Sequence, residues 1–183
     1  KLEGGGTSVD RAKAIVDAGI PVMGHVGLTP QTATALGGLK AQGRTADKAI
    51  KVAEDAIGLD QAGCFAIVIE AVPEAVSEMI VRKVDAPTIG IGAGNVTAGQ
   101  VLVLHDLVGF NAGHVAKFVK RYADVRGEMR SGLEKYVGEV RSGAFPAPEH
   151  VYSVDPAELE GLRKRLNRED LDSSYSWDWE PLP

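Results

Sequence analysis

Cys64-Phe65-Ala66-Ile67-Val68-Ile69-Glu70-Ala71-Val72, followed by Pro73, decides the fold class of this 183-residue chain. The run is apolar throughout, of strand length, and carries one carboxylate near its end. A strand with one solvated face alternates polar and apolar residues, whereas an unbroken apolar run suits a parallel strand covered on both faces. Before it, Thr45 to Gln61 reads as the clearest helix, with Ala46, Ala49, Ile50, Ala53, Ala56 and Ile57 on an apolar stripe. Asp47, Lys51 and Asp55 form its solvated charged face, and Gly63 stops it. After it, Pro73 stands at a first helical position, and Val76, Met79 and Ile80 predict a helix reaching Val84.

The same alternation extends outward in both directions. Ile20 to Gly27 reads as a buried strand, preceded by a helix from Thr7 to Ala18 with Ser8 as N-cap and Gly19 as stop. Pro87 to Gly94 is a strand running into glycines, and Val101 to Leu104 a further strand ending at His105-Asp106. Ala112 to Ser142 has helical periodicity, with Gly127 expected to break it in two. Lys1-Leu2-Glu3 reads as the end of a strand entering a glycine loop.

Strands separated by single helices imply a parallel sheet with crossover helices, either an open doubly wound sheet or a (β/α)8 barrel. No GxGxxG follows a first strand and no GxxxxGK[ST] occurs. Polar residues gather instead where strands end, namely Lys1, Glu3, His25, Glu70, His105 and Asp106, which is where a barrel places its chemistry. The expected fold is therefore α/β, a (β/α)8 barrel. Five strands, counting the one at Lys1, fall short of eight, so the chain is expected to be the C-terminal portion of a larger barrel lacking its N-terminal strands. Residues 1–152 would form that portion, and residues 153–183 a charged helix on Leu159, Leu162 and Leu166 followed by an acidic, aromatic, disordered tail.

Composition narrows the function classes. A hydrophobic share of 44% supports a packed core, and 22 glycines point to many tight turns or backbone-lined loops. Net charge of −5 with no basic cluster argues against a nucleic-acid groove, and no apolar run is long enough for a membrane span. The single cysteine, Cys64, excludes an internal disulfide framework and a cysteine-rich zinc site, and fits a reducing cytoplasm. It is read as inert packing.

Glu70 carries the most chemistry. A carboxylate desolvated by apolar neighbours suits a general base, although the same position suits a rim carboxylate in a salt bridge. Lys1 and Glu3 share a strand face, so an ammonium could take an acidic substrate and a carboxylate a divalent cation, or the two could simply pair. His25 is a strand-end imidazole that gains meaning only beside these residues. Ile89 to Gly94 would let backbone amides approach an anion, or serve tight turns. His105 and Asp106 are read as structural or rim residues.

Seven blocks, in order, resemble ketopantoate hydroxymethyltransferases. They are KLEGG at 1–5, GIPVMGHVGLTPQ at 19–31, LGGLKAQGR at 36–44, VIEAVP at 68–73, PTIGIGAG at 87–94, GQVLVLHDLVG at 99–109 and FVKRYADV at 118–125. The resemblance implies a barrel of the phosphoenolpyruvate/pyruvate superfamily type, usually a homo-oligomer (a decamer). It implies transfer of a hydroxymethyl group from 5,10-methylenetetrahydrofolate to 3-methyl-2-oxobutanoate, with Mg2+, in pantothenate and coenzyme A biosynthesis. By match to the family's blocks, Lys1 binds the keto acid, Glu3 is a metal ligand, His25 contacts substrate and Glu70 accepts the proton. The family's first three strands, with an Asp-Ser pair and a further Asp of the metal shell, have no counterpart in the 183 residues. Two other readings stand beside it: a non-catalytic or split-subunit paralogue, and another Mg2+-dependent α-keto-acid lyase or mutase of the same superfamily.

Overall fold

The computed structural model describes residues 1–34, 37–113 and 115–166. By internal contacts the chain divides into two units, residues 1–130 and residues 131–183. The first unit is built on a sheet of five strands: β1 (Leu2–Glu3), β2 (Met23–Gly27), β3 (Ala66–Glu70), β4 (Thr88–Ile91) and β5 (Gly99–Gln100). Every neighbouring pair is parallel, and the spatial order follows the chain order. Helices α1 (Thr7–Asp17), α2 (Ala46–Gln61) and α3 (Glu74–Val81) connect the first four strands. A one-turn α4 (Leu104–Leu107) and the longer α5 (Val125–Ser142) follow, and α6 (Pro156–Leu166) belongs to the second unit. The parallel α/β architecture expected from the apolar run is thus the one formed.

Strand alternation sorts each strand's residues between two faces. Val26, Ile67 and Ile69 enter one core with Ala12 of α1, Val52, Ala56 and Leu59 of α2, and Ile80 of α3; Leu2 packs against it. His25, Val68 and Glu70 lie on the alternate positions and belong to the opposite face. Gly24 favours this packing, because a Cβ there would meet Leu59 Cδ1 at 3.0 Å and press on that side chain.

The elements close by legible local rules. Thr45 caps α2, its side chain accepting from the Lys48 N–H at 3.4 Å. Helix α1 ends at Gly19 (φ +81°), whose N–H donates to Val16 O while Ile20 N–H donates to Ile15 O. The same paired closure recurs at Gly63 (φ +87°), with Asp60 O and Leu59 O as acceptors.

Several expectations are corrected. Helix α1 is capped by Gly6 without a side-chain bond, not by Ser8, because Asp55 Oδ1 takes the Gly6 N–H at 3.1 Å. Asp55 is therefore not simply part of a solvated face, although Lys51 does pair with it at 3.7 Å. The buried stripe of α2 is Val52, Ala56 and Leu59, with Ala46 and Ile50 exposed. Small alanines gave the periodicity two readable phases, and the larger Val52 and Leu59 decide which one is buried. Pro73 is the N-cap of α3 rather than its first residue, and Met79 is 68% exposed while Ser77 takes the buried place. Ser77 can do so because its hydroxyl donates to Pro73 O at 3.3 Å.

Val101 to Leu104 is not a strand. The ladder ends at Gln100 with one further bond, from Val101 N–H to Gly90 O, and the chain turns into α4. His105 and Asp106 are therefore helical residues, not strand-end ones. Residues 112–124 are likewise not helical where described, and Gly127 lies inside α5 instead of breaking it. Tyr122 N–H donates to Leu107 O and Val125 N–H to Val108 O, which commits that stretch to α4, and Asp124 Oδ1 then caps α5 through Gly127 N–H at 3.1 Å.

In the second unit, Phe145 packs between Tyr136 and His150, with ring centroids 5.6 and 5.2 Å away. Helix α6 forms as its leucine spacing predicts, and Asp155 Oδ1 accepts from Ala157 N–H at 2.8 Å. The expected acidic, aromatic tail lies outside the described residues. No helix among the described residues is long and apolar enough to cross a membrane.

Candidate functional site

Register brings three of the four singled-out side chains together. Glu3 pairs with His25 across β1 and β2, and Gly27 pairs with Glu70 across β2 and β3. Glu3 and Glu70 each end their strand, and His25 lies two residues before the end of β2. The His25 ring is fully buried, with Nδ1 3.6 Å from Glu3 Oε1 and Nε2 3.0 Å from Glu70 Oε2. Both contacts lie outside hydrogen-bond geometry, so the two ring nitrogens make no hydrogen bond. The result is an imidazole flanked by two largely buried carboxylates on the face away from the helix-packed core.

The backbone around this row is constrained. Gly4 N–H donates to His25 O at 2.8 Å, which continues the β1–β2 ladder one residue past Glu3. Gly27 has φ +88°, and a Cβ there would lie 2.3 Å from Glu70 O, so only glycine lets β2 leave the sheet beside Glu70. Ala71, directly after Glu70, has φ +50°, a left-handed conformation that costs an L-residue about 1 kcal/mol. It is held by its own N–H to Ile91 O and by Gln42 N–H to its carbonyl, both at 2.8 Å. Glu70 thus projects from a junction tied on both sides.

Two contacts were invisible in the sequence. Glu3 Oε2 accepts the Gln31 backbone N–H at 3.1 Å, and Asp55 reaches across from α2 to the loop after β1. A backbone donor carries no residue-type signal, and Asp55 reads like any other charged helix residue.

Lys1 is not drawn into the row. It precedes β1, is exposed, and among the described residues forms no ion pair with Glu3 or another carboxylate. His105 stacks at a tilt on Phe110, 5.3 Å between centroids, and Asp106 Oδ1 accepts from Asn111 Nδ2 at 2.7 Å. These are structural contacts. Gly92 and Gly94 allow close packing where β4 leaves the sheet. Gly92 faces the Phe118 ring, Gly94 faces the Glu74 side chain, and Glu74 Oε1 already accepts the Asn95 N–H at 3.1 Å. Cys64 is buried, and desolvation, with the Asp60 carboxylate as a smaller cause, raises its thiol pKa. It matches the expectation of inert packing.

Among the described residues no group of three or more His, Cys, Asp or Glu side chains is arranged to hold a metal ion. Glu3 offers one carboxylate, one of whose oxygens already accepts from Gln31. The described set does not by itself supply a Mg2+ shell, which needs near-octahedral oxygen ligation.

A parallel α/β protein with a carboxylate–imidazole–carboxylate row at its strand ends is the class that fold and site define. A family model described as ketopantoate hydroxymethyltransferase matches residues 1–148. The chain belongs to the ketopantoate hydroxymethyltransferase family. It is 48% identical over 168 residues to a protein named 3-methyl-2-oxobutanoate hydroxymethyltransferase of Nitratidesulfovibrio vulgaris, covering 92% of this chain and 55% of that one. The like-named protein of Oleidesulfovibrio alaskensis is 52% identical over 170 residues (93% and 59%), and that of Clostridium botulinum 49% over 162 residues (88% and 59%). The chain spans between half and two thirds of the length of these curated relatives.

Proposed function

We propose that the protein transfers a hydroxymethyl group from 5,10-methylenetetrahydrofolate to 3-methyl-2-oxobutanoate, giving 2-dehydropantoate for pantothenate and coenzyme A synthesis. The observation that carries this reading is the placement of Glu70 Oε2 3.0 Å from a buried His25 Nε2, within the region matched by the family model. A carboxylate held there on a constrained backbone can remove the proton from C3 of the keto acid. His25, a buried ring whose nitrogens make no hydrogen bond, is the substrate-contacting residue of this reading through its place beside Glu70. Lys1 supplies an ammonium for the acid's carboxylate or its enolate oxygen. The enolate carbon then bonds to the one-carbon unit, and one water is consumed as tetrahydrofolate leaves.

Mg2+ belongs to the proposal as the Lewis acid that would polarise the ketone, with Glu3 as the ligand this chain contributes. Because the described residues do not complete its shell, no step above runs through it. The closed (β/α)8 barrel is proposed on the same footing. Strand order equal to chain order, with the connecting helices in one core on one face, supports a barrel, since a doubly wound sheet reverses its order and covers both faces. Assembly as a homo-oligomer and a cytoplasmic location complete the reading.

The test is direct. Purified protein with Mg2+ and 3-methyl-2-oxobutanoate in D2O should lose the C3 proton signal, and should form 2-dehydropantoate when methylenetetrahydrofolate is added. Absence of both reactions would overturn the proposal.

A further inference from the structure

The loop after β2 is bonded to both residues whose carboxylates flank His25, to the backbone of one and the side chain of the other. Leu28 N–H donates to Glu70 O at 2.8 Å, and three residues later Gln31 N–H donates to Glu3 Oε2 at 3.1 Å. The second anchor, Gln31, is the middle residue of one 3-10 turn, Pro30–Thr32. A single turn of that kind has poor hydrogen-bond geometry and does not hold its shape alone. Here it is closed from inside, where Thr29 Oγ1 and Thr32 Oγ1 are 2.6 Å apart and Thr32 N–H donates to Thr29 O at 3.0 Å. Thr29 is only 5% exposed, so its hydroxyl needs a protein partner, and Thr32 supplies it.

We infer that the Thr29–Thr32 hydroxyl pair is a positioning clasp that aims the Gln31 amide at Glu3 and so sets the distance between Glu3 and His25. With Oε2 anchored by Gln31, Oε1 is left facing His25 Nδ1, while the loop's other anchor grips the residue whose carboxylate faces Nε2. Neither threonine touches the imidazole; both act through Glu3. The inference rests on the proton-abstraction reading above only for its kinetic consequence.

The test uses the full protein carrying Thr29→Val, Thr32→Val, both together, and Thr29→Ser. Proton exchange from 3-methyl-2-oxobutanoate is measured beside the 15N resonances of the His25 ring, assigned with a His25→Asn variant. Each valine variant should lower the exchange kcat about tenfold at little cost in KM, since misplacing a group near the chemistry acts on the reacting geometry. The double variant should be no worse than the poorer single one, because the hydroxyls work as one unit. Thr29→Ser should restore the rate, and the Nδ1 resonance should move in the valine variants. A folded valine variant with wild-type rate and unmoved Nδ1, or additive losses in the double variant, would overturn the clasp. If buried Thr29→Val does not fold, Thr32→Val, at an exposed position, decides on the same two readouts. If the wild type exchanges no proton, the enolate reading fails, and the Nδ1 resonance alone decides the clasp.

Discussion

Glu70 and Ile69 are chain neighbours with opposite fates. Ile69 points into the core shared with α1, α2 and α3, and Glu70 points to the other face beside His25. The same contrast separates Val26 from His25. One face of this sheet is made by filling volume and the other by placing charge. A two-residue period lets a single five-residue strand serve both tasks, since each residue belongs wholly to one of them. The cost is local: Ala71 sits in a left-handed conformation and Gly27 admits no side chain at the point where the polar face turns into loops.

Substitutions can separate the two faces. The largest effect is expected at Glu70. Glu70→Gln should lower C3-proton exchange roughly 1,000-fold, the range of a lost general base, while urea unfolding changes by about 1 kcal/mol or less. Matching losses in both would mean that the two faces are not separable. Ile69→Ala should do the reverse, destabilising the protein by about 2–5 kcal/mol with the exchange rate per folded molecule retained. A milder outcome is expected for Asp55→Ala, which removes the acceptor of the Gly6 N–H. It should cost about 1 kcal/mol in urea unfolding, and Asp55→Asn, which keeps an acceptor oxygen, should recover most of it.

The smallest effect concerns Cys64. Burial raises its thiol pKa in the folded state, so the folded protein holds that proton to higher pH than the unfolded chain does. Its contribution is complete below the unfolded value and is lost as pH rises through the folded one. Urea midpoints taken from neutral pH into the alkaline range should therefore fall more steeply for the wild type than for Cys64→Ala. Equal slopes would remove the thiol from the account.

Much of this was legible in the chain. Cys64 to Val72 announces a buried parallel strand, Gly19 and Gly63 mark helix ends, and the leucines of α6 mark its helix, because each signal is local and set by residue type. Glu70 stood out as a lone carboxylate in an apolar run. Less legible was the segment from Val101 to Asp124, where apolar residues at strand and helix spacing form neither element as expected. Its conformation depends on bonds to Gly90, Leu107 and Val108, which periodicity does not encode.

The sequence by itself determined which residue types were available, the parallel α/β class, and Glu3, His25 and Glu70 as residues to watch. Only the tertiary structure decided that these three meet while Lys1 stands apart, that the Gln31 amide holds Glu3, and that Gly92 and Gly94 admit the Phe118 and Glu74 side chains. The physical reason is strand register. Two residues 45 positions apart become neighbours only when β2 and β3 align Gly27 with Glu70, and that alignment is set by the core packed on the opposite face.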